Sequence, residues 1–204
     1  MVTAMPRPKT IHDFGGFPQE LFDVQYPAPG SPEFAAETQQ TITSVPVTLD
    51  YAWGLDHGTW SVLLPMFPEA DIPVYQLSID YNRPAEFHYE LGSQLRKLRN
   101  RGVLIVGSGN IVHNLRTARF EGGAPYDWAI EFDTIIASAI ESGDHNAVIE
   151  FQKLGAIAKL AHPTYDHFLP LLYTLGAIDK GEQPEFFNSD IDLGSASMRS
   201  VIYR

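Results

Sequence analysis

Between Asp71 and Asn110 the order of elements narrows the possible folds sharply. "DIPVYQLSID" (71–80) reads as a buried strand. From Pro84 to Arg101, Phe87, Leu91, Leu95 and Leu98 share one helical face, and Gly102 supplies the stop. "VLIVGSGN" (103–110) returns as a strand that runs into a glycine turn, and "IVHNL" opens the next helix. Two parallel strands joined by a helix make a right-handed βαβ unit. The expectation is therefore an α/β fold, a central mixed or parallel sheet flanked by helices.

The flanks fit that frame. Val45–Leu49 reads as a strand, followed by a turn at Gly54–Gly58 and a short helix to Phe67, with Asp56 as its cap. Helices are expected over 126–142 and 146–157, broken at Ser142–His145, and over 164–176, opening on Thr164 with His167 inside. "GSASMRSVIY" reads as a final strand. Residues 6–35, rich in Pro, Gly and aromatics, read as a long irregular loop, which is uncommon unless functional or wrapped on a core. No repeat or composition shift marks a linker, so one domain over 1–204 is expected.

Composition excludes several classes. The net charge of -11 disfavours a nucleic-acid backbone or an anionic membrane as partner. With no cysteine, disulfides and thiol nucleophiles are out, and any metal must rest on His, Asp, Glu or backbone oxygen. No apolar run approaches the ~20 residues of a membrane span, and "MVTAMPRPKT" lacks an apolar signal core. A cytoplasmic protein, monomeric or a small homo-oligomer, is the expectation.

The chemistry then rests on histidines. His113 follows the end of the 103–110 strand, where ligands of open α/β sheets collect. The adjoining Gly107 and Gly109 lack the G-x-G-x-x-G spacing and the lysine of a phosphate loop. His57 lies in a glycine-flanked turn beside Asp56, a capped helix start or an imidazole tuned by nearby charge. His162 precedes Pro163 at a helix entrance, and His167 lies about one turn on. His12 sits in the long loop, as a packing residue or a substrate contact. His88 and His145 read as surface residues. No G-x-S-x-G elbow or H-E-x-x-H pair is present. His57, His113 and His167 each stand at an element boundary and form a constellation, and with no cysteine an imidazole-rich metal site would suit Fe(II), Zn or Mn.

Six ordered segments carry a resemblance: "TIHDFGGFPQELFDVQYPAPGSP", "WGLDHGTW", "QLSID", "GSGNIVHNLR", "HPTYDHFLPLLYTLGA" and "GSASMRSV". Together they resemble the class III (LigB-type) extradiol ring-cleavage dioxygenases, nearest to the 4,5-DOPA branch. The resemblance implies one divalent metal, Fe(II) or Zn(II), that binds a catechol and O2 and opens the ring beside the diol. His167 matches a metal-ligand histidine. His113 matches a histidine at the metal, either ligand or catalytic base. His57 matches a catalytic histidine that contacts substrate or oxygen, and His12 and His162 fall where substrate contacts are expected. Two upstream family motifs, H-G-S-P and S-x-H-W, whose histidines are ligands, have no counterpart here. The resemblance thus implies a member lacking its N-terminal strand-helix-strand portion, with a weakened metal site. The alternative is a metal-free, catalytically degenerate aromatic-binding protein on the same fold.

Overall fold

The computed structural model describes residues 1–204, which fall into two compact units, Met1–Ser78 and Ile79–Arg204. In the first, strand β1 (Val2–Thr3) pairs in parallel with β2 (Leu49–Asp50), and Val2 also bridges Leu77. Helix α1 (Gln19–Phe22) is a single turn inside the long loop. Helix α2 (Pro32–Thr41) takes up the last residues of the segment expected to be loop. Pro32 opens it, and the Ser31 hydroxyl accepts from Phe34 N. The loop wraps a core, one of the two readings its length left open. Tyr26 is fully buried with Leu55, Trp60 and Leu63, and its hydroxyl donates to Phe67 O at 3.1 Å. Helix α3 (His57–Met66) begins where Asp56 accepts from Thr59 N, and Trp60 Nε1 donates to Ile11 O at 2.9 Å.

In the second unit, α4 (Ala85–Arg99) packs on α8 (Leu169–Ala177). The backbones touch because Gly92 and Gly176 lack a Cβ. One added at Gly92 would lie 2.3 Å from Tyr173 O, and one at Gly176 2.1 Å from Tyr89 O. Helix α5 (Asp127–Glu141) buries Ala129, Phe132, Ile136 and Ile140 against Val148, Phe151, Phe168 and Leu172. The helix expected over 146–157 breaks into α6 (His145–Ile149), a 3-10 turn (Phe151–Leu154) and α7 (Ala156–Ala161), divided at Gly155, whose φ is +69°. Strand β3 (Pro184–Phe187) pairs antiparallel with β6 (Ser200–Tyr203), and β4 (Ile191–Asp192) with β5 (Ala196–Ser197).

The architecture is α/β, but the expected central sheet is not formed; strands occur as three two-stranded sheets. Residues 103–106 keep the alternation of a strand, with Leu104 66% and Val106 46% exposed, yet no ladder joins them to a neighbour. An extended segment becomes a sheet strand only when a neighbour takes its N–H and C=O groups. Residues 71–80 contribute one bridge, Leu77 to Val2, and the helix expected at "IVHNL" is a 3-10 turn over Leu115–Thr117.

Candidate active site

His113 is held by backbone. Its N–H donates to Ala161 O at 3.0 Å, and the next residue, Asn114, donates from Nδ2 to Leu160 O at 2.7 Å. The C-terminal segment clamps the same loop. Asn110 Nδ2 donates to Ser197 O, Ser197 N to Val112 O, and Asn114 N to Ser195 O. That segment is anchored in turn by the buried Asp133, which accepts from Ser197 Oγ at 2.6 Å and from Arg199 Nε and Nη2 at 2.9 and 2.7 Å. Asp133 lies outside every segment that stood out in the sequence, and Ser197 and Arg199 lie only within "GSASMRSV", because the signal is in their pairing and not in their spacing.

The glycines of the 107–110 turn bring His167 alongside. A Cβ at Gly109 would lie 2.1 Å from His167 O, and one at Gly107 2.6 Å from Pro170 O. Asn110 N donates to His167 O at 2.9 Å. The turn is therefore a packing surface for the chain that carries His167. His167 lies in the turn before α8, outside the helix expected to contain it, since α8 starts at Leu169 with Pro170 in its first turn.

The outcome is a stacked pair. The rings of His113 and His167 lie 3.6 Å apart between centroids, tilted by 6°, and both residues are half-buried. Burial, then the neighbouring His167, lowers the pKa of His113 to about 4, so its ring is neutral at pH 7. His167 Nδ1 lies 2.9 Å from Asp166 Oδ2, an ion-pair distance without hydrogen-bond alignment. Burial raises the Asp166 pKa, but the hydrogen bond from Thr164 and the charge of His167 outweigh it, and the net shift is downward.

These donors do not fit a divalent metal as they stand. An imidazole ligates through an in-plane lone pair at about 2.0–2.1 Å. Two rings stacked face to face keep their lone pairs in nearly parallel planes, which do not converge on one metal. No group of three or more His, Asp or Glu side chains is arranged to hold a metal ion.

His162 is 1% exposed and so lies in the core, not at a pocket edge. Its Nε2 donates to Ile111 O at 2.6 Å, and Phe132, Phe151 and Phe168 surround the ring. Burial lowers its pKa to about 4. The expectation that His88 and His145 are surface residues also fails. His88 is 0% exposed with Nδ1 hydrogen-bonded to Tyr173 Oη, and the half-buried His145 bonds Tyr89 Oη. The helical period that buries Leu91 and Leu95 buries His88 too.

In the first unit, His57 is the first residue of α3, and its side chain is 44% exposed. Its charge partner is Asp13, whose Oδ1 lies 2.7 Å from His57 Nδ1. The adjacent Asp56 is spent on the helix cap. His12 donates from Nε2 to Val24 O at 2.9 Å and packs among Phe14, Phe22 and Trp60. Asp13 and Asp166 were missed by the sequence reading, although each stands beside a histidine in "HDF" and "DHF".

Residues 1–195 match the family model of the catalytic LigB subunit of aromatic ring-opening dioxygenase, and the chain belongs to that family. Among individual proteins, it is 49% identical to a 4,5-DOPA dioxygenase extradiol of Escherichia coli (strain K12), covering 98% of this chain and 75% of that protein. It is 40% identical to a 4,5-DOPA dioxygenase extradiol of Beta vulgaris, covering 94% and 72% of the two. The crystal structure of the uncharacterized protein JW3007 from Escherichia coli K12 is similar, with a TM-score of 0.84 and 41% identity over 98% of this chain and 78% of that one. No helix is long and apolar enough to cross a membrane.

Proposed function

We propose that this chain is an extradiol dioxygenase that opens the ring of a catecholic, DOPA-like substrate with O2 to give a semialdehyde. The observation that carries this is its 49% identity, over 98% of its length, to a protein named 4,5-DOPA dioxygenase extradiol. In this reading residues 1–204 act as one catalytic domain, in the cytoplasm, as a monomer or small homo-oligomer. Neutral at pH 7, His113 serves as a proton acceptor. His57 moves protons at its half-exposed ring, and His12, amid aromatic rings, meets the aromatic substrate. His162 stays in the core, holds Ile111 and does not reach a substrate. The divalent metal of the proposal, Fe(II) or Zn(II), would take His113 and His167 as ligands only once the two rings leave their stack. Adding a catechol and O2 to the protein with Fe(II) tests the reading. A yellow semialdehyde absorbance is expected, and its absence at every metal loading would remove the claim.

The stacked imidazoles favour a second reading, an aromatic-binding protein without catalysis. Metal analysis separates the two: iron or zinc bound tightly at one per chain would end the second.

A further inference from the structure

Asp13 uses one oxygen for two contacts. Its Oδ1 lies 2.7 Å from His57 Nδ1 and accepts from the His57 backbone N–H at 3.0 Å. An ionised carboxylate only accepts, so Nδ1 carries the ring proton. Burial raises the Asp13 pKa, but the His57 backbone N–H and ring lower it further, so the group is ionised at neutral pH. Phe14 stands edge-on to the imidazole, with centroids 5.7 Å apart and planes at 88°, and limits its rotation. No hydrogen bond engages Nε2 of this half-exposed ring.

A helix cap alone does not account for Asp13. Asp56 already caps α3 by accepting from Thr59 N at 3.2 Å, and a cap needs only backbone donors. Asp13 comes from the long loop, far away in sequence, and its shorter contact is to the ring.

We propose that Asp13 is the positioning residue of His57: it holds the imidazole in the Nδ1–H form and leaves Nε2 as the free basic nitrogen. The use of that nitrogen in proton transfer rests on the reading of His57 given under Proposed function. A carboxylate that sets a histidine tautomer acts through the histidine; a carboxamide in its place can present N–H to Nδ1 and drive the proton to Nε2.

The test uses the full chain with 15N-labelled histidine. Long-range proton–nitrogen spectra are recorded at about pH 8, where an ordinary imidazole is neutral. A His57→Gln spectrum identifies the His57 signals. The expected wild-type result is a protonated Nδ1 and a bare Nε2, with Asp13→Asn and Asp13→Ala shifting the proton toward Nε2. A wild-type His57 that is protonated on Nε2, or averaged between forms, would overturn the proposal whether or not the protein opens rings. If semialdehyde is formed, Asp13→Asn should lower kcat by about ten- to hundred-fold with KM within about two-fold. An unchanged kcat in an active protein, with an unchanged thermal melt, would also overturn it. A wild type that makes no semialdehyde removes the ring-opening reading, and the spectrum alone then decides on Asp13.

Discussion

The His113–His167 pair and the His57–Asp13 pair orient imidazoles by opposite means. The first is set by backbone. Glycines admit close approach, main-chain bonds fix both segments, and a buried carboxylate anchors the C-terminal clamp. The second is set by one side chain on a half-exposed ring. The first is costly to disturb, because backbone contacts and a buried carboxylate hold it together. The second changes with a single carboxylate at little cost to the fold.

The strongest break of this contrast is Asp133→Ala. It strands Arg199, whose side chain is 18% exposed, and frees Ser197. Losing one partner of such a pair should cost about 3–5 kcal/mol in urea unfolding. A loss near zero would mean that the clamp does not hold the His113 loop.

The next largest effect is pH-dependent. The folded His162 takes its proton only near pH 4, against 6.5 for an ordinary histidine. Between those values the unfolded chain holds more protons. Stability is therefore full above about pH 6.5 and declines as pH falls toward 4, by roughly 3 kcal/mol. Unfolding curves at several pH values check the slope, and His162→Gln, which keeps a donor for Ile111 O, should remove its share and leave that of the equally shifted His113.

Gly109→Ala ranks third. Its Cβ meets His167 O at 2.1 Å, so the His167 turn must move, at a cost of about 1–3 kcal/mol. Histidine ring shifts in an NMR spectrum would record the loss of the stack. The smallest effect is on the other side of the comparison. Asp13→Ala should change stability by less than about 1 kcal/mol, because the pair is partly exposed. A larger loss in a thermal melt would make Asp13 a structural anchor and erase the distinction.

Legibility in the sequence followed the range of the physics. Helix α4 was readable from Phe87, Leu91, Leu95 and Leu98, and the Asp56 cap from its place before α3, because both depend on near neighbours. His113 and His167 were readable as candidates from their motifs, but not as a stacked pair. That depends on Gly109 lying against His167 O, a contact between distant segments. Asp13 was passed over for the adjacent Asp56, since adjacency in sequence says nothing about which carboxylate reaches a ring.

The sequence by itself determined the family, the absence of thiol chemistry, the α/β alternation and the histidines proposed to carry the reaction. Only the tertiary structure decided which histidines are buried and neutral, which carboxylate meets which ring, and which extended segments find a partner. The reason is physical. Local periodicity and composition act along the chain, whereas burial, hydrogen-bond pairing and backbone contact act between segments that the fold alone brings together.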